Sequence, residues 1–312
     1  MRLLRDLLRR PGGALGRPPV TGAGRRGRVM PHGICEKRFL DVNRTRQRMF
    51  LRGNDVGNPV LLYLHGGLPE YFLTERRPTA LEDCFTVAWW DQRGAGISYS
   101  PSLPRTSITT EQCILDTISV THYLRERFGQ DRVYLMAHSG GSFIGLQTVS
   151  RHPELYAAYI GMAQMVDQLR SERLAYEFMV AEFEKRHDNA MLKRLAAAPV
   201  SQAHGIPKRY LAVRDKAMHR LGVGTTHDMR SVITGVFLPS LASRSDLLPA
   251  RRVRPHMLLR PGSRLPPAAA GPIKGFYTFE HSAHSPIFEE PEKAGRIMRD
   301  DVLNAVVGLA DG

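Results

Sequence analysis

No stretch of roughly 18 consecutive apolar residues occurs in the 312-residue chain, so no segment reads as a bilayer-spanning helix. Cysteine is scarce. Cys35, Cys84 and Cys113 are odd in number and widely spaced, forming neither a disulfide framework nor a Cys-x-x-Cys metal pair, and this usage fits a reducing compartment. A Gly-x-Gly-x-x-Gly turn opening a helix is missing, as is any metal-ligand cluster, so the expected complement is no cofactor and no metal. Acidic residues are absent from Leu247 to Phe279.

The formal net charge of +14 is concentrated in two places. Residues 1–28 hold eight arginines against Asp6, and residues 251–264 hold five arginines and no acid, so these two stretches carry 12 of the 14 charges. The rest is close to neutral and shows no nucleic-acid motif, so nucleic acid is not an expected partner. Residues 1–32 read as a disordered Arg-rich tail, broken by Pro11-Gly12-Gly13 and Pro18-Pro19. The expected location is cytoplasmic. The Arg-rich, acid-poor start also fits a mitochondrial transit segment, the alternative.

Beyond residue 38 strand and helix signals alternate. Short apolar runs at Val60–Leu64, Phe85–Trp90, Val133–Ala137, Ala157–Met162 and Gly275–Phe279 read as buried strands, with a weaker one at His256–Leu259. In Thr110–Phe128, Ile114, Ile118, Thr121 and Leu124 recur at helical spacing and Gly129 stops the helix. A second helix follows Ser139 and ends before Pro153. The alternation predicts an α/β fold, a mostly parallel sheet flanked by helices. Residues 165–235 break the rhythm with three helical patterns (Ser171–His187, Asn189–Ala198, Lys208–Leu221), the mark of a helical cap, residues 165–245, inserted into a core of residues 33–164 and 246–312.

Three motifs fall at strand ends. Ala137-His138-Ser139-Gly140-Gly141 follows a strand and opens a helix, the context of a nucleophile elbow that lifts the Ser139 hydroxyl above the sheet. An ordinary Gly-rich strand–helix turn has the same composition. His65-Gly66-Gly67 follows the strand Val60–Leu64, and the N–H groups of Gly67 and Gly140 would form a two-donor oxyanion hole. His65 fits a hydrogen-bonder within that turn better than a base. His284, in a loop after the last strand, stands in the chain order Ser…His of a catalytic base.

His65-Gly66-Gly67 resembles the HGG turn of the α/β-hydrolase fold family. The run Trp89-Trp90-Asp91-Gln92-Arg93-Gly94-Ala95-Gly96-Ile97-Ser98 is similar to the D-Q-R-G-x-G-x-S signature of the proline iminopeptidase group. Ala283-His284-Ser285-Pro286 with Glu289-Glu290-Pro291 resembles that group's catalytic-histidine loop. The resemblance covers roughly residues 36–245 and 272–310. It implies a serine hydrolase with Ser139 as nucleophile and His284 as base. The implied substrate is a small amide or ester, often the N-terminal residue of a short peptide, as in an aminopeptidase.

The chain departs from that pattern. Leu68-Pro69-Glu70 follows the HGG turn directly, Gly140 stands where the group often has Trp, and the cap looks truncated after Pro239. No acid precedes the last strand, where the triad acid belongs. Loss of that acid costs on the order of 10⁴ in kcat in serine proteases, and the activity is expected to be weak. With residues 251–272 foreign to the core in composition, the loop supporting His284 is expected to be poorly braced. Asp167 is the candidate substitute, though it also fits a polar residue starting the cap; Asp246 and Glu280 follow. The competing reading is a non-catalytic α/β-hydrolase-fold binding protein, with a lyase or ester-specific enzyme as a third. The sequence assigns no oligomeric state.

Overall fold

The computed structural model describes residues 32–221, apart from 68, 76 and 204, together with 256–259 and 273–311. Most of the N-terminal tail, the end of the cap, Asp246 and most of the Arg-rich stretch lie outside the described residues. Among the described residues the fold is an eight-stranded mixed sheet in the order β1-β2-β4-β3-β5-β6-β7-β8. The strands are β1 (Ile34–Val42), β2 (Thr45–Gly53), β3 (Val60–Leu64), β4 (Thr86–Asp91), β5 (Val133–His138), β6 (Tyr156–Met162), β7 (His256–Leu259) and β8 (Phe276–Thr278). β4-β3-β5-β6 pair in parallel. β2 is antiparallel to β1 and β4, and β7 to β6 and β8. Six of the eight strands therefore run one way.

The four central strands are buried along almost their whole length, which is why they read as unbroken apolar runs. Their side chains alternate between two cores. Leu61, Tyr63, Val87 and Trp89 share one with Tyr277, Ile287, Phe288 and Met298. Leu62, Leu64, Ala88, Trp90 and Ala137 share the other with Val120, Leu124 and Val149. The last three belong to the covering helices α1 (Thr110–Phe128) and α2 (Gly140–Arg151). The Thr109 side chain caps α1, and Gly129 ends it at φ 62°.

The β1–β2 hairpin has no counterpart in the sequence reading. Its two-residue turn places Asn43 at φ 44° and Arg44 at φ 66°, the doubly left-handed geometry of a type I′ turn. Arginine stands where glycine usually marks such a turn. Asn43 also donates to Asp116 Oδ1 at 2.8 Å, tying the turn to α1.

Where the sequence predicts a cap, the described residues form α3 (Gln168–Lys185), α4 (Asn189–Ala196) and α5 (Lys208–Arg220). They pack on one another around Met179, Phe183, Met191, Leu195, Tyr210 and Ala217, a cluster separate from the two sheet cores. After β8 come α6 (Pro286–Glu289) and α7 (Pro291–Arg296).

Candidate active site

Ser139 sits between β5 and α2 with φ 51° and ψ −122°, a conformation a non-glycine residue holds only under strain. The Ser139 N–H is fixed by the Met162 carbonyl of β6 at 2.9 Å. Tight clearances surround the turn. A Cβ on Gly141 would meet the His65 carbonyl oxygen and lie 2.7 Å from that of Leu64, and one on Gly66 would lie 2.8 Å from the Ser139 Cβ. Ala137 carries its methyl two residues before the serine, tolerated because residue 145 on the facing helix is glycine. The strand–turn–helix expected from the sequence is thus present, with the serine half-buried at its apex.

Gly67 and Gly140 are both exposed, with open space where a Cβ would stand. Gly140 is the first residue of α2, so its N–H has no acceptor within the helix.

The D-Q-R-G-x-G-x-S run braces the HGG turn. The Gln92 N–H donates to His65 Nε2 at 3.2 Å and its amide Nε2 donates to the His65 carbonyl at 2.8 Å. His65 Nδ1 lies 2.9 Å from the Gly66 carbonyl. One ring nitrogen donates and the other accepts, so His65 is a neutral imidazole, and burial lowers its pKa. Asp91 accepts from Arg48 at 2.6 Å and from the Ile97 N–H at 2.9 Å. Arg93 grips Asp116 through two bonds of 2.7 and 2.8 Å. The signature is structural support for the site.

His284 follows β8, its imidazole 4.6 Å from that of His138 between centroids. Its loop is firmly held, contrary to the expectation of weak bracing. Glu290 accepts from the His281 N–H and the Ser282 hydroxyl, and Glu289 from the Ala283 N–H. His138 Nε2 donates to the His284 carbonyl at 2.7 Å. The bracing carboxylates lie downstream of the loop, not in the acid-free stretch before it.

The structure does not join the three sequence candidates into one hydrogen-bonded chain. The hydroxyl of Ser139 lies 4.0 Å from the Met165 sulfur, and among the described residues no hydrogen bond links it to His284. Asp167 is exposed and caps α3, accepting from the Arg170 N–H at 2.9 Å. Glu280 is exposed in the turn after β8.

Sequence reasoning missed Glu70. Its buried carboxylate accepts from the Tyr63 hydroxyl at 2.5 Å, faces His138 Nδ1 at 2.9 Å and accepts from the Ser285 hydroxyl at 3.3 Å. Nε2 faces a carbonyl and so carries a hydrogen, and Nδ1 faces a carboxyl group that already accepts from two hydroxyls. This setting favours an imidazolium paired with a carboxylate. Burial opposes charge on both, and their contact overrides it, raising the His138 pKa and lowering that of Glu70. Burial first, then the charge on His138, pushes His284 down to about 3; Glu70 pulls the other way. The available signal was an acid just past the carboxyl end of a central strand in a chain lacking one at the usual place.

A family model described as alpha/beta hydrolase fold matches residues 59–204. A protein of Bacillus subtilis (strain 168) named "Probable aminopeptidase YbaC" is 37% identical over 170 residues, covering 53% of this chain and 54% of the relative. The chain thus spans about half the length of that curated relative. An epoxide hydrolase mutant from Vigna radiata aligns at 28% identity with a TM-score of 0.35, covering 40% of this chain and 37% of that one. A proline iminopeptidase-related protein from Thermus thermophilus aligns at 22% identity with a TM-score of 0.42, covering 66% of each chain. Among the described residues no helix is long and apolar enough to cross a membrane. The matched segment runs from β3 through the elbow to the helices beyond β6, and with the six codirectional strands it gives the chain the α/β-hydrolase fold.

Proposed function

We propose that the chain is a serine hydrolase acting on small amides or esters, aminopeptidase-like in its choice of short peptides. Ser139 is the nucleophile, His284 the general base, and the N–H groups of Gly67 and Gly140 the oxyanion donors. The strained backbone of Ser139 carries this reading. A φ of 51° at a non-glycine residue, hemmed by two glycines that tolerate no Cβ, is a cost that an ordinary strand–helix turn does not need. The aminopeptidase name of the Bacillus subtilis relative supports the same direction.

Attack by the Ser139 hydroxyl requires its proton to pass to His284, and collapse of the tetrahedral intermediate requires His284 to hand it to the leaving group. An imidazole pushed to about 3 is a weak base, so slow turnover is part of the proposal. Asp167 remains the carboxylate that could complete a triad, in which case it would have to leave its cap. We place the protein in the cytoplasm. The test is labelling with a fluorophosphonate probe followed by peptide mapping. Ser139 is expected to carry the adduct and Ser139→Ala to abolish it; an adduct elsewhere overturns the assignment.

The second reading, a binding protein without catalysis, draws on the Ser139 hydroxyl, whose described neighbour is the Met165 thioether and not an imidazole. It predicts no adduct at all.

A further inference from the structure

We propose that Glu70 is the positioning carboxylate of this site: through His138 it fixes the carbonyl of His284, and through the Ser285 hydroxyl it fixes the next residue. The proposal rests on the Ser139–His284 reading above.

Glu70 is 4% exposed and lies in the loop after β3. His138 ends β5, and its next residue is the nucleophile. His284 and Ser285 come from the far side of the sheet order, in the loop after β8. The only carboxylate in direct contact with His138 among the described residues is Glu70. Its bonds therefore join the nucleophile's strand to the base's loop without passing through the acid-free stretch of residues 247–279. The charged or titratable groups acting on His284 are His138, Glu70 and, from α5, Arg214.

The arrangement needs both charges. Neutral glutamine at position 70 leaves a doubly protonated His138 buried without a counter-charge, so the ring gives up a proton. If Nδ1 keeps its hydrogen, the Nε2 lone pair faces the His284 carbonyl and that tie is lost. If Nε2 keeps it, the amide must turn its NH2 to Nδ1 and Tyr63 can no longer donate to it. Either way the bonds that tie down the base's loop or brace residue 70 are rearranged. A shift of about 1 Å in a catalytic group costs on the order of 10² in rate. A group that positions the base acts in the chemical step, so kcat falls and KM stays nearly constant.

The test uses the full chain and its Glu70→Gln and His138→Gln variants. Three quantities are read: the rate of phosphonate labelling at Ser139, kcat and KM on an activated aryl ester, and ring-nitrogen NMR shifts of His138. Wild type is expected to show both His138 nitrogens protonated at pH 7. Glu70→Gln is expected to show one, with labelling and kcat reduced about 10²-fold and KM changed by less than about threefold. The double variant is expected to fall no further than either single one, because the two residues act as a unit. A labelled wild type whose folded Glu70→Gln variant labels at the same rate overturns this proposal alone. So does a singly protonated His138 in wild type, a reading that stands even where the variants fail to fold. A wild type that takes no label at Ser139 overturns the hydrolase reading and this proposal with it.

Discussion

His138 Nε2 donates to the His284 carbonyl at 2.7 Å, so the residue preceding the candidate nucleophile also holds the backbone of its candidate base. Nucleophile and base are thereby referenced to one imidazole, and movement of β5 relative to the β8 loop is resisted at the point where it would do most harm.

Esters and amides should part company. His284 disfavours the protonated form, and an amine leaving group needs that proton, whereas a nitrophenolate does not. Hydrolysis of activated aryl esters is expected to be measurable while the matching aminoacyl anilides turn over at least ~10²-fold more slowly. Parallel kcat/KM values on one acyl group check this, and comparable values would place a further carboxylate at His284.

Stability should fall on mild acidification. His65 and His284 both have folded pKa values below the unfolded value, so between the two values the unfolded chain binds more protons. Each contributes stability that is complete above about pH 6.5 and is lost as pH drops towards the folded value, by up to about 1.4 kcal/mol per pH unit per group. His138 carries the opposite sign, its contribution being lost only as pH rises through its elevated value. Urea midpoints are expected to be lower at pH 5 than at pH 7.

Gly141→Ala should damage folding more than a methyl group ordinarily does. The added Cβ meets the carbonyl oxygens of His65 and Leu64, both backbone atoms of the opposite turn. A loss of about 3 kcal/mol or more is expected in urea unfolding. The same substitution at Gly140, which faces open space, is expected to be far milder.

Asp116 is the anchor of the signature loop. It is fully buried and accepts from Arg93, Asn43, Gln47 and Gln112. Asp116→Ala leaves Arg93 buried without its partner and is expected to cost about 3–5 kcal/mol. A thermal melt distinguishes this from a surface substitution.

Asp167→Asn keeps the cap of α3, since asparagine accepts from the same N–H, whereas Asp167→Ala is expected to cost about 1 kcal/mol. Labelling of Ser139 in the asparagine variant is expected to proceed at the wild-type rate. A fall of orders of magnitude would make Asp167 the triad acid.

The central strands could be read from the sequence because double-sided burial writes itself as an unbroken apolar run. The three helices of the cap announced themselves by spacing, within a few residues at their ends. The hairpin did not, because Asn43-Arg44 hides a left-handed turn behind an arginine, and β1 and β2 are rich in charge. The elbow was readable as a local motif. Glu70 was not, since a carboxylate becomes buried and paired only when β3, β5 and the β8 loop meet, a relation between residues 70, 138 and 285 that no local pattern encodes. The Arg-rich stretch and the final part of the cap fall outside the described residues.

The cap's apolar cluster touches neither sheet core in composition: Met179, Phe183, Met191, Leu195 and Tyr210 pack with each other. Substitutions on those helices can therefore accumulate without disturbing the strands that set the elbow.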